Sequence, residues 1–240
     1  MKKFFVIPVL LVFLFSTQVF SVPINFGDNT IYWAGWPGLG SDNSTDEIGV
    51  PIFPNNSAGS YEIVGGKLDK ITFNYNLNGY WYENYIKPGD LFIDIGGDST
   101  WDYVVQILGI GTGAGNYNLY SISLSSAGGT SGYVLSDTAW GISGFNIRNR
   151  HPVGIDGSVS KVESQIVYFA GWDYGAGNHS TYFDFGDGLD VGSGIFEFSW
   201  TVNCANDVVR EQGKIPEPTT MILIGAGLLG LGAKFRRRKK

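Results

Sequence analysis

The feature that most constrains this chain is a period-two alternation of apolar and polar residues. It recurs in short segments that are separated by turn-forming clusters. Ile71-Thr72-Phe73-Asn74-Tyr75-Asn76-Leu77 alternates, as do Tyr117-Asn118-Leu119-Tyr120-Ser121-Ile122-Ser123-Leu124 and Ile195-Phe196-Glu197-Phe198-Ser199-Trp200-Thr201-Val202. Leu91-Phe92-Ile93-Asp94-Ile95 follows a Lys87-Pro88-Gly89-Asp90 turn. Shorter apolar runs lie at 101–108, 133–135, 142–147, 166–169 and 182–185. Side chains of a strand point alternately to its two faces, so this pattern predicts strands with one buried face. No window before Thr219 holds a helical period. The chain carries 35 Gly and 36 aromatic residues, which suits many strands joined by tight turns. The expected fold class is all-β, a jelly-roll-like β-sandwich over residues 22–205, with a β-barrel as the alternative. Residues 37–60 read as a long loop, and 206–218 as a linker.

The two ends differ from this middle. Residues 1–21 have the plan of a signal peptide: Lys2 and Lys3, an apolar run from Phe4 to Phe15, and a small Ser21 before Val22. At the other end, Ile215-Pro216-Glu217-Pro218 precedes an uncharged, Gly- and Leu-rich stretch. Residues 219–235 are just long enough for a transmembrane helix, and Arg236, Arg237, Arg238, Lys239 and Lys240 form a basic tail. Such a cluster stays cytoplasmic, which places residues 22–214 outside the membrane. Of 16 basic and 22 acidic residues, two basic ones fall in 1–21, and six basic and one acidic in 215–240. Residues 22–214 therefore keep 8 basic and 21 acidic groups, net −13. That balance argues against nucleic acid as a partner, because phosphate binding needs a basic face.

Pro216-Glu217-Pro218, a short apolar span and an Arg/Lys tail together resemble the PEP-CTERM sorting signal. The resemblance covers residues 215–240 and implies export by a Gram-negative bacterium that makes exopolysaccharide or biofilm. It further implies recognition by exosortase, a membrane cysteine protease-transpeptidase, with cleavage near Pro216-Glu217-Pro218. The protein would be anchored in the inner membrane first and reach the cell surface or extracellular matrix after processing. The same tail is also labelled an ice-binding protein C-terminal domain, but no regular Thr-x-Thr array for ice binding is present.

No catalytic motif stands out. Gly128-Gly129-Thr130-Ser131-Gly132 has Thr where a nucleophile elbow needs Ser, and neither His151 nor His179 lies in a zincin motif. Gly109-Ile110-Gly111-Thr112-Gly113 lacks the Lys of a phosphate loop. Glu62, Glu83, Glu163 and Glu197 are available to a glycosidase, which needs two carboxyl groups about 5–10 Å apart. The single Cys204 excludes an intrachain disulfide. Asp184, Asp187 and Asp190 gather hard oxygen ligands in a Gly-rich segment and are candidates for Ca²⁺, the one cofactor considered; the same residues also favour plain turns.

Aromatic clusters beside Asn and Asp suit stacking on sugar rings. Tyr80-Trp81-Tyr82-Glu83-Asn84-Tyr85 and Gly171-Trp172-Asp173-Tyr174 make Trp81, Tyr82, Tyr85 and Trp172 the candidate glycan contacts. The expected function is a non-enzymatic surface or matrix protein associated with exopolysaccharide. The alternative is a secreted carbohydrate-active enzyme delivered by the same signal.

Overall fold

The computed structural model describes residues 22–27, 57–76, 87–108, 113–126, 131–134, 153–173, 177–202 and 208–215. The signal-peptide segment 1–21, the tail from Pro216 onward, Cys204 and His151 lie outside them. Twelve strands run in chain order: β1 (Ile24–Gly27), β2 (Ser57–Val64), β3 (Lys67–Asn76), β4 (Leu91–Ile95), β5 (Thr100–Val105), β6 (Gly115–Ser125), β7 (Tyr133–Val134), β8 (Gly154–Ile155), β9 (Val162–Phe169), β10 (Asn178–Leu189), β11 (Ile195–Thr201) and β12 (Val208–Lys214). Among the described residues there is no helix, so the all-β expectation holds.

Ten strands form one antiparallel sheet in the order β1-β2-β3-β10-β9-β6-β5-β4-β11-β12; β7 and β8 pair separately. The sheet curls until its two ends meet through side chains. Phe26 of β1 sits edge-on to Phe198 of β11, with ring centres 5.1 Å apart, and Tyr61 of β2 meets Phe196 at 5.4 Å. The Lys214 N–H donates to the Tyr61 hydroxyl at 3.1 Å. The architecture is thus one nearly closed, barrel-like sheet rather than two separately bonded layers.

Alternation explains why it curls. Inward positions of β3, β10 and β11 carry Ile71, Phe73, Tyr75, Phe183, Phe185, Phe196, Phe198 and Trp200, all buried. Their rings interlock: Phe73 lies 4.5 Å from Trp200, and Phe183 meets both, at 6.1 Å each. Edge-to-face pairs of this kind are worth about 0.5–1.5 kcal/mol beyond their area burial. The Trp200 indole N–H donates to the Gly89 carbonyl at 3.0 Å, so this large ring carries no unpaired polar group.

A second, smaller core lies outside the barrel. Phe92, Trp101, Val104, Ile122 and Val208 point outward from β4, β5, β6 and β12, and Tyr133 and Ile155 of the β7–β8 pair cover them. This explains why β4 is buried on both faces and reads as a nearly continuous apolar run.

Two segments depart from the expected organisation. Residues 57–60 open β2 instead of closing a loop, and residues 208–214 form β12 instead of a linker. Pairing with β11 in full register, Ile195↔Lys214 to Thr201↔Val208, decides the second case. Gly213 lies across from Phe196, and a Cβ built on it would stand 2.1 Å from that ring. The β2–β3 hairpin turns at Gly65-Gly66, whose φ angles of 59° and 83° fit the two positive-φ positions of a type I′ turn.

The packing at Gly213 predicts that Gly213→Ala destabilises the protein by about 1–3 kcal/mol through overpacking. Gly115→Ala, whose Cβ would meet nothing within 4 Å, should stay within ~0.5 kcal/mol of wild type. Urea denaturation followed by tryptophan fluorescence measures both.

Candidate functional site

The same alternation that fills the barrel sets out its exterior. On β3 the outward residues are Lys70, Thr72 and Asn74; on β10, Ser180, Tyr182 and Asp184. On β9 they include Ile166 and Tyr168, and on β6 Asn116, Asn118 and Tyr120. Register aligns Lys70 with Asp184, Asp184 with Tyr168, and Tyr168 with Asn116, a row crossing four strands. At ~4.8 Å per strand the row spans about 14 Å. Tyr168 and Tyr182 lie with ring centres 6.0 Å apart and planes at 40°. Ile166 is 49% and Tyr168 41% exposed.

Polar contacts hold this face in place. The Lys70 ammonium sits 5.2 Å from the Tyr182 ring centre, and the Lys161 ammonium 4.5 Å from that of Tyr120. Lys161 also donates to the side-chain amide oxygen of Gln106. The Asn118 amide donates to the Tyr120 hydroxyl at 3.1 Å, and the Ser180 hydroxyl to the Asn74 amide oxygen at 2.7 Å. No local sequence cluster marks this face. Its residues come from four strands far apart in the chain, so only the register brings them together.

Trp172, by contrast, is buried, which corrects its reading as a glycan contact. Its ring stacks on Tyr75 at 3.8 Å with planes 7° apart and meets Trp200 at 5.7 Å. Gly171, at φ 94°, turns the chain beside Ala114, where a Cβ would stand 2.8 Å from the backbone nitrogen. Asp173 is held just beyond: its N–H donates to the Tyr75 hydroxyl at 2.8 Å, and its carboxylate lies 3.2 Å from His179 Nδ1. His179 is a β10 residue in register with Tyr75, with its side chain 17% exposed. Trp81, Tyr82 and Tyr85 lie outside the described residues.

The three aspartates of the calcium reading are not gathered. Asp184 belongs to β10, where a bulge inserts extra residues between the Asp184↔Lys70 and Leu189↔Leu68 pairs. Gly186 and Gly188 supply positive φ within that bulge. The Asp184 carboxylate accepts from the Gly186 N–H at 2.9 Å, and that of Asp190 from the Gly192 N–H at 3.0 Å. The main chain of Asp187 accepts from Lys67. The carboxylates of Asp184 and Asp190 thus each serve their own stretch of backbone. Among the described residues no group of three or more His, Cys, Asp or Glu is placed to hold a metal ion. The acidic neighbours of Asp184 are across the sheet instead. The Asp69 carboxyl is held above its ordinary range, by partial burial first and then by Asp184 and Glu62.

The glutamates of the glycosidase reading are spread over the sheet. Glu62 of β2 and Glu163 of β9 lie three strands apart, and Glu163 and Glu197 of β11 four apart. At ~4.8 Å per strand these separations along the sheet are about 14 and 19 Å, while Glu62 and Glu197 lie on the two strands that meet where the barrel closes. Glu197 points outward yet is only 18% exposed, because Arg210 of β12 pairs with it. Arg210 also donates to the Ser126 carbonyl and hydroxyl, and its guanidinium lies 5.1 Å from the Trp101 ring centre. Glu83 lies outside the described residues.

Two buried carboxylates that sequence patterns do not single out organise the loops. Asp94, opposite Glu197 in the sheet, accepts N–H bonds from Gly97, Asp98 and Ser99 at 3.0–3.2 Å. Ser99 has a φ of 71°, the one positive-φ residue other than Gly among those described. Asp90 ties two segments to the barrel. Its Oδ1 accepts from the Ile107 and Leu108 N–H groups at 2.8 Å each, and its Oδ2 from Ile155 at 3.2 Å. Burial pushes the Asp90 carboxyl up to about 7 against the opposing pull of those N–H groups and of Lys161.

With Lys214 and Ile215 the described chain reaches the tail. Ile215 is buried in the main core, and its N–H donates to the Gly194 carbonyl at 2.8 Å. Pro216 therefore follows the folded domain directly. Among the described residues no helix is long and apolar enough to cross a membrane; residues 219–235 and the Pro216-Glu217-Pro218 motif lie outside them. Residues 214–238 match the family model of the PEP-CTERM protein-sorting motif. No curated protein and no solved structure matches the chain.

Asp90 leads to a pH prediction. Between the ordinary value of 3.8 and about 7, folded Asp90 keeps its proton while the unfolded chain releases it. Its contribution is therefore greatest at acid pH and declines as pH rises towards 7, by about 4 kcal/mol in all. Asp90→Asn should remove that slope while lowering stability, because Nδ2 then faces the Ile155 N–H. Denaturation midpoints at pH 4, 5.5 and 7 for both forms check this.

Proposed function

We propose that this is an exported protein that exosortase sorts through residues 214–238, and that its β domain is a non-enzymatic module associated with extracellular polysaccharide. The sorting half of the reading is carried by the PEP-CTERM match. That motif implies export, a membrane-bound stage and processing by exosortase. Burial of Ile215 supports a short reach between folded domain and motif, so the domain meets the membrane surface while the tail is being handled.

The polysaccharide half is supported by the exposed row of Tyr and Asn side chains and by the net charge of −13 over residues 22–214, which favours a soluble extracellular life. Asp94 and Glu197, which face each other across β4 and β11, are engaged by backbone N–H groups and by Arg210, as structural groups are. A binding or matrix role uses the rigid, twisted sheet as a platform and asks no chemistry of it.

Replacing Pro216-Glu217-Pro218 by three alanines in the native host should leave the protein in the membrane fraction at its uncleaved mass. Wild type should be found outside the inner membrane and shorter by the tail. Identical mass and fractionation of the two forms would overturn the sorting proposal.

A further inference from the structure

The exterior of the sheet has two halves of different chemistry. Over β4, β5, β6 and β12 the outward residues are Phe92, Trp101, Val104, Ile122 and Val208, and the protein covers them with its own β7–β8 pair. Over β3, β10, β9 and β6 the outward residues are mainly Tyr and uncharged polar (Thr72, Tyr182, Tyr168, Asn116, Asn118 and Tyr120), with Ile166 and the charged Lys70, Asp184 and Glu163 among them. Among the described residues no strand pair covers this second half. Tyr120 stands at the border, packed against the outer core on one side and bonded to Asn118 on the other.

We propose that the open half is a binding platform for a neutral polysaccharide, an assignment that rests on the polysaccharide association proposed above and gives it a location. The chemistry of the face selects the ligand. A Tyr ring offers an apolar face to the C–H side of a sugar and a hydroxyl at its wet end. Asn amides supply both donors and acceptors, which match the hydroxyls of a sugar. A protein segment would be expected to meet aliphatic and Phe-like residues, as the β7–β8 pair does on the other half. Charge disfavours a polyanion. Lys70 faces Asp184 across the β3–β10 ladder, Lys161 is engaged by Gln106 and Tyr120, and Glu163 lies opposite Tyr120. An acidic polymer would thus meet a face where Lys70 stands opposite Asp184 and Glu163 lies opposite Tyr120, on a domain of net −13. The four strands are internal to the sheet, so recognition falls to side chains rather than to strand addition at an edge.

The test is affinity electrophoresis of the full chain in native gels cast with hydroxyethyl cellulose, soluble starch or galactomannan, with alginate as the acidic polymer. Wild type should be retarded by at least one neutral polymer and not by alginate. Tyr168→Ala and Tyr182→Ala should each weaken retardation about five- to tenfold, the loss of a stacking partner. Tyr168→Phe should keep most of it, and Ile195→Ser, on another strand, should leave it unchanged. Both tyrosines are at least partly exposed, and thermal unfolding identifies any variant that fails to fold; for such a position the Phe variant is compared with Asn in place of Ala. Retardation that survives loss of both rings would overturn the platform while leaving the polysaccharide association standing. No retardation of wild type by any neutral polymer would overturn both. Self-association of the chain that depends on Tyr168, seen by sedimentation, would assign the face to a second copy and overturn the proposal.

Discussion

The contact on which the rest depends is the packing of Trp200 against Phe73, Phe183 and Trp172 in the middle of the barrel. It joins β11, near one end of the sheet, to β3 and β10, near the other. A sheet of ten strands has two long edges and a large apolar face to hide, and curling it on itself solves both problems. Phe26, Tyr61, Phe196 and Phe198 finish the closure where the edge strands meet. The indole N–H of Trp200 reaches the Gly89 carbonyl, and the next residue is Asp90. Aromatic core and polar loop network are therefore anchored at one point.

That network shows how an all-β domain handles backbone at its turns. Loop N–H groups have no ladder partner, and burying them unpaired costs about 1–3 kcal/mol each. Asp94 accepts three of them in the β4–β5 hairpin, and Asp90 three more from the end of β5 and from β8. The two carboxylates differ in how their surroundings use them. Asp90 is so deeply enclosed that burial outweighs its hydrogen bonds, and it reports on pH; Asp94 shares its side of the sheet with Arg210. The β7–β8 pair that Asp90 fastens is also the cover of the outer core. This links a buried carboxylate to the division of the exterior into a closed and an open half.

The short distance between core and sorting tail bears on function. Because β12 runs to Lys214 and Ile215 packs inside, the motif begins where the barrel ends. On the sorting reading proposed above, so short a tether would keep the domain close to the membrane until the tail is processed.

Much of this was determined by the sequence alone. Period-two alternation placed β3, β4, β6 and β11 and put Phe73, Phe198 and Trp200 on the buried face, because strand geometry leaves no other choice. The tail was legible because Pro-Glu-Pro, apolar span and basic end are contiguous. Tertiary structure alone decided what depends on partners distant in the chain. Residues 208–214 have weak local character and became a strand through the ladder with β11; Gly213 fits there only because Phe196 lies opposite. Trp172 looked like a surface ring beside polar neighbours, yet Gly171 turns it onto Tyr75. Asp184, Asp187 and Asp190 are close in sequence but not gathered: the carboxylates of Asp184 and Asp190 accept from Gly186 and Gly192, each in its own turn. The open Tyr and Asn face gathers residues between 72 and 182 from four strands, and it exists only because register aligns them.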